Sequence, residues 1–131
     1  MRISADIAKQ APKHTVLKDV FGFDGFRPGQ EQVIDTLLSG ENVLTVMPTG
    51  SGKSLCFQIP ALITGGLTIV VSPLVALMED QVAALEYAGV AADAINSSRL
   101  REDNIATWRR AAAGNIRLLY MAPERLMTER M

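Results

Sequence analysis

The sequence predicts an α/β fold, a parallel β-sheet with helices packed on both faces. Three observations carry it. After Gly40, short apolar runs alternate with amphipathic stretches to the end of the chain, the order that joins parallel strands through helical crossovers. Leu67-Thr68-Ile69-Val70-Val71 is apolar and β-branched almost throughout, as suits a strand buried on both sides. Met47-Pro48-Thr49-Gly50-Ser51-Gly52-Lys53-Ser54 lies between an apolar run, Val43-Leu44-Thr45-Val46, and a helix-competent run, Leu55 to Ile63. That is a strand–glycine loop–helix unit.

The elements follow in chain order. Residues 1–14 read as a tail, with His14 solvated beside Pro12 and Lys13. From Thr15, the residues Val16, Leu17, Val20 and Phe21 form one face of a short helix ended by Gly22. Pro28 fits the first turn of a second helix, with Val33, Ile34, Leu37 and Leu38 as its stripe and Gly40 as its cap. The first strand and the glycine loop come next, then a helix that Pro60 kinks or ends. Gly65-Gly66 turn into the strand at 67–71.

Ser72-Pro73 reads as a helix start, Ser as cap and Pro in the first turn. Leu74, Leu77, Met78, Val82 and Leu85 mark that helix's core face, and Gly89 ends it. Val90 to Ile95 is a weaker strand. A helix from about Arg99 to Ala113 places Ile105, Trp108 and Ala112 on one face, with Trp108 as a core anchor. Ile116 to Met121 is a further strand, and Ala122-Pro123-Glu124-Arg125-Leu126 opens a helical stub. In such sheets, ligands gather at the carboxyl ends of the strands. The turns at 47–54, 72–74 and 122–125 all follow strands and should share one rim.

Composition narrows the function. The 131 residues suffice for one domain with a core. With 13 Lys plus Arg against 14 Asp plus Glu, bulk charge does not drive nucleic-acid binding, so any such site is a local patch. One cysteine, Cys56, excludes an internal disulfide and a cysteine-rich metal site. No run is long and apolar enough to cross a membrane, and no leader pattern opens the chain. A cytoplasmic protein is expected.

The glycine loop carries the chemistry. Gly50 and Gly52 permit backbone conformations that a Cβ forbids, so loop N–H groups can face phosphate oxygens, aided by the helix N-terminus. Lys53 reaches the terminal phosphates and Ser54 places its hydroxyl on Mg2+. Met47 departs from the general phosphate-loop pattern, which has glycine there, whereas Thr49-Gly50-Ser51-Gly52-Lys53-Ser54 is intact. A dinucleotide fingerprint fails because Leu55 holds the place of its third glycine. Upstream, Phe23-Asp24-Gly25-Phe26-Arg27-Pro28-Gly29-Gln30 sets a glutamine and an arginine beside two aromatics. A glutamine can donate to and accept from an adenine while a ring stacks on it. A polar turn with Phe23 and Phe26 in the core accounts for the same residues.

Taken together, these segments resemble the RecQ family of DNA helicases, in helicase superfamily 2. Phe21-Gly22-Phe23 with Phe26-Arg27-Pro28-Gly29-Gln30 resembles the family's adenine-contacting motif. Residues 47–54 resemble its phosphate loop. Ser72-Pro73-Leu74, with Leu77-Met78 and Asp80-Gln81, and Leu119 to Leu126 resemble two motifs that line the DNA path. The likeness runs from about Val16 to the end and is to bacterial members. Phe23 stands where many of them have Tyr, and Ser51 where Gly is common.

The resemblance implies a RecA-like first motor domain over 15–131, and ATP with Mg2+ as cofactors. It implies an ATP-dependent 3′–5′ DNA helicase of recombination and repair, acting on single-stranded or forked DNA at the bacterial nucleoid. Phe23, Arg27, Gln30 and residues 49–54 would hold the nucleotide, with Lys53 catalytic. Ser72, Pro73, Leu74, Pro123, Glu124 and Arg125 would meet DNA. The family's Asp-Glu-x-His motif lies downstream of the last matched segment and, with the second motor domain, is expected beyond Met131. Glu79-Asp80 is the wrong order for that motif and reads as a surface pair on a helix. The alternatives are another superfamily 2 helicase, acting on RNA or remodelling chromatin, and a non-catalytic nucleotide-binding module.

Overall fold

The computed structural model describes residues 5–45 and 52–126, with side chains over 12–45 and 52–124. The chain divides into two compact units after Gly65.

The first unit is helical: α1 (Ala5–Asp19), α2 (Gln30–Leu38) and α3 (Leu55–Thr64). Its core is Leu17 of α1, Ile34 of α2, and Leu55 and Ile59 of α3, with Val16, Phe21, Phe26, Leu38 and Ile63 packed around them. Leu55, Ile59 and Ile63 fall four apart and so form one stripe of α3. Burying each such side chain contributes about 1.5–3 kcal/mol. That stripe explains why α3 runs through Pro60 to Thr64 rather than ending there, since one interior proline costs about 3 kcal/mol.

Two expectations for this unit are corrected. Residues 5–14 belong to α1 rather than to a tail. Lys13, fully buried, bonds Glu31 and Asp35 of α2 and draws the helix on beyond its apolar stripe. Glu41 to Thr45 form no strand, and Leu44 is 95% exposed. A strand exists through its ladder, and no described strand pairs with this run. Val46 to Ser51, including Thr49, Gly50 and Ser51 of the phosphate loop, lie outside the described residues.

The second unit holds β1 (Thr68–Val71), α4 (Val75–Tyr87), β2 (Ala92–Ile95), α5 (Arg101–Ala112), β3 (Leu118–Met121) and α6 (Pro123–Leu126). The strands form a parallel sheet in the order β1-β3-β2. The chain therefore crosses the sheet in one direction through α4 and returns through α5. Right-handed crossovers put those helices on opposite faces. The α5 face is packed by Ile95, Ala111, Ile116, Leu119 and Met121. Met78, Val82 and Leu85 are the buried residues of α4. Both helices close with the same glycine-dependent turn. Gly89 and Gly114 take φ of 86° and 82°, and the next residue returns an N–H to Leu85 and to Arg110 respectively.

Three further expectations shift here. α4 begins at Val75, with Leu74 as its cap, and Ser72 Oγ instead accepts the Leu74 N–H at 3.2 Å. Leu74 and Leu77 are exposed rather than core. The buried face of α5 is Asn104, Thr107 and Ala111, while Ile105 and Trp108 are 40% and 37% exposed. The cause is Asp93, a carboxylate in β2 that takes a hydrogen bond from Thr107 Oγ1 at 3.0 Å. A buried carboxylate needs polar partners, so α5 turns its polar residues inward.

Candidate nucleotide-binding and strand-end sites

Gln30, the first residue of α2, is 1% exposed. Its Oε1 accepts the Arg27 backbone N–H at 2.8 Å, and its Nε2 donates to the Gly52 carbonyl at 2.9 Å. One side chain thus ties the 23–30 turn to the last part of the glycine loop. Gly52 has a φ of 76°, and a Cβ there would collide with Gln30 Nε2. Glycine is required twice at this position, for backbone conformation and for room.

The Gly52 carbonyl also accepts the Leu55 N–H at 3.2 Å, which starts α3. Lys53 is exposed and Ser54 half-buried just before that helix. A helix N-terminus carrying a lysine and a hydroxyl suits an anion. The exposed cation at Lys53 and the hydroxyl at Ser54, at the start of α3, therefore fit a nucleotide's phosphates. Of the two aromatics, Phe26 packs on the core and Phe23 stays 47% exposed, as Arg27 is exposed. The core role that the sequence left open for both rings falls to Phe26 alone. Among the described residues, no cluster of three His, Cys, Asp or Glu side chains is placed to hold a metal ion.

In the second unit, the residues expected to meet DNA lie at one end of the sheet. Ser72 follows β1 and Pro123 follows β3, its parallel neighbour. The Ser72 N–H donates to the Met121 carbonyl at 3.1 Å, and the Ala122 N–H donates to Ile95. Pro73, Leu74, Pro123 and Glu124 are exposed there and Ser72 is half-buried. The backbone of Arg125 lies in α6, and its side chain lies outside the described set.

Beyond β2 stands a polar cluster that sequence reasoning missed. Arg99 bonds both carboxylate oxygens of Glu79, at 3.0 and 2.8 Å, and also Asp93 and the Ala94 carbonyl. Arg110 pairs with the other oxygen of Asp93. Fully buried Asn96 donates to Glu79 at 3.1 Å and accepts from Asn104 Nδ2 at its backbone carbonyl at 2.9 Å. Hydrogen bonds from Arg99 hold the Glu79 carboxyl below its usual range. Burial alone would raise Asp93, but Arg99, the Ala94 N–H and Thr107 together bring it down. Arg99 is raised, first by Glu79. Glu79 is therefore not a simple surface acid; it locks α4 to the loop after β2. The signal was an acid inside an otherwise small and apolar strand, Ala92-Asp93-Ala94-Ile95.

The family model of the DEAD/DEAH box helicases matches residues 27–130. Over 114 residues the chain is 51% identical to the ATP-dependent DNA helicase RecQ of Haemophilus influenzae, and over 113 residues 44% identical to that of Bacillus subtilis. Those matches take in 87% and 86% of this chain but 18% and 19% of the two helicases. The chain thus spans under a fifth of the length of these relatives. Among solved structures, a hypothetical ATP-dependent RNA helicase from Sulfolobus tokodaii superposes with a TM-score of 0.71 at 25% identity, over 88% of this chain and 34% of that one. The DUF1998 helicase MrfA bound to DNA gives 0.67 at 20% identity over 89% of this chain and 18% of its own, a likeness of fold. The α/β sheet with its helices is a RecA-like helicase fold. Among the described residues, no helix is long and apolar enough to cross a membrane.

Proposed function

Because the chain belongs to the DEAD/DEAH box helicase family, we propose that residues 15–131 are the front part of the first motor domain of a RecQ-type, ATP-dependent 3′–5′ DNA helicase, with residues 5–14 continuous with it through α1. The observation that supports the nucleotide site is the Gln30 bridge from Arg27 to Gly52. It ties the turn proposed to read the base to Gly52, the described end of the proposed phosphate-binding loop.

In this reading Phe23 stacks on adenine and Arg27 and Gln30 meet its edge, Gln30 giving up its bond to the Gly52 carbonyl or to the Arg27 N–H as the base enters. Thr49, Gly50, Ser51 and Gly52 turn backbone N–H groups on the phosphates. Lys53 neutralises charge on the terminal phosphate, where phosphoryl transfer develops it. Ser54 would hold a magnesium ion, which would supply further neutralisation at the phosphates. ATP supplies the phosphoryl group, which is transferred to water as the bond to the β-phosphate breaks, leaving ADP, phosphate and a proton.

DNA passes over the sheet end at Ser72, Pro73, Leu74, Pro123, Glu124 and Arg125. The N–H groups that open α4, together with Arg125, meet backbone phosphates without reading sequence. A second motor domain completes the engine, and DNA recombination and repair are the processes served, in the cytoplasm at the nucleoid. The choice of DNA rests on the greater identity to the RecQ helicases. RNA is the second reading, favoured by the likeness to the Sulfolobus structure. Unwinding assays with the full-length protein separate them. Unwinding of forked DNA in preference to an RNA duplex of the same sequence is expected; the reverse order would replace this reading with the second.

A further inference from the structure

We propose that Lys13 is a positioning residue for base recognition: by fixing the register of α1 on α2, it sets the spacing between Phe23 and the Arg27–Gln30 pair. The inference rests on the nucleotide reading above and deepens it.

The candidate base-reading turn hangs between two helices. At its start, the Phe23 N–H donates to the Leu17 carbonyl at 3.1 Å and the Gly22 N–H to Lys18 at 3.0 Å, so Phe23 moves with the end of α1. At its finish, Arg27 and Gln30 bond each other at the start of α2. How far the Phe23 ring stands from the Gln30 amide therefore depends on how α1 is seated along α2.

α1 shares its core with α3 as well, and two kinds of contact seat it on α2. One is apolar, Leu17 and Ile34 within the shared core. Hydrophobic contact is non-directional and tolerates sliding. The other is Lys13, one turn before Leu17. Its Nζ lies 2.7 Å from Glu31 Oε2 and 2.6 Å from Asp35 Oδ1, with no exposed surface left. Glu31 and Asp35 are one turn apart on α2, so the ammonium sits between them, and a shift of α1 along α2 by one residue breaks at least one bond. The ammonium is buried while both carboxylates keep nearly half of their side-chain surface, and setting register is the best-attested use of such ionic contacts within a core. His14 adds a second brace on the turn, 3.6 Å from Glu31 and with its ring 5.1 Å from that of Phe26. The two carboxylates hold Lys13 protonated above its ordinary range although burial alone would lower it.

The test is equilibrium binding of ADP, GDP and inorganic tripolyphosphate to the full-length protein and its variants. Lys13→Met should cut the ADP-over-GDP preference by about tenfold, the worth of one hydrogen bond, and leave tripolyphosphate affinity unchanged. Lys13→Arg, which keeps both ion pairs within reach, should retain most of the preference. Asp35→Asn, a milder change used if Lys13→Met does not fold, should lower the preference in the same direction. An unchanged ADP:GDP ratio in folded Lys13→Met or Asp35→Asn would overturn the proposal, as would parallel loss of all three ligands. A wild-type protein without ADP preference would overturn the base-reading turn itself, and this proposal with it.

Discussion

Gln30 donates to the carbonyl of Gly52 across twenty-two positions of sequence, at 2.9 Å. Its amide fills the space where a Cβ on residue 52 would stand. The two residues should therefore behave as a coupled pair. Gly52→Ala meets both a positive φ and the Gln30 amide, and should cost about 1–2 kcal/mol from the backbone alone. Adding Gln30→Ala removes the collision. In urea unfolding the double variant should lose less than the sum of the single losses, by about 0.5 kcal/mol or more. Strict additivity would mean that the two do not touch.

Gln30→Ala should also weaken adenine nucleotides more than guanine nucleotides, measured as a ratio of dissociation constants. An equal loss for every base would assign Gln30 to loop architecture alone.

Asp93 gives the second unit an acid limit. Its carboxyl, and that of Glu79, are held below their ordinary values of 3.8 and 4.5. A depressed carboxylate contributes its full stabilisation above the unfolded-state value and loses it as pH falls through the folded-state value. Stability should thus hold down to about pH 4.5 and decline below it. Asp93→Asn should cost about 1.5–3 kcal/mol at neutral pH, because the charged acceptor shared by Arg99, Arg110 and Thr107 is lost while Arg99 keeps Glu79, and should flatten the acid decline. An Asn variant with the wild-type acid slope would place the titration elsewhere.

For the sheet end, Arg125→Ala should reduce DNA stimulation of the full-length ATPase while leaving its DNA-free rate unchanged. The near-neutral charge of this chain implies few phosphate contacts, hence a shallow salt dependence from this segment at roughly −0.7 per neutralised phosphate. Unchanged stimulation would assign Arg125 to an ion pair with Glu124 or Glu129.

Much of this was legible in the sequence where a local rule has one solution. Gly40, Gly89 and Gly114 close their helices as the pattern requires, and 67–71 and 116–121 contain paired parallel strands. What failed depended on partners distant in the chain. Val43 to Thr45 have strand composition, but a strand needs a neighbour. Trp108 looked like a core anchor because apolar periodicity was counted alone, whereas Asp93 decides which face of α5 turns inward. Lys13 looked like part of a tail because its carboxylates lie eighteen and twenty-two residues on. At the site itself, the glycine loop and Gln30 were readable as types; the bond between Gln30 and Gly52 was not.

The central claim is that Lys53, exposed before α3, serves phosphoryl transfer rather than folding. DNA-stimulated phosphate release by the full-length protein tests it most directly, with unfolding midpoints measured alongside. Lys53→Ala should abolish turnover and leave the midpoint unchanged, because an exposed side chain contributes little to packing. Wild-type turnover by that variant would contradict the account.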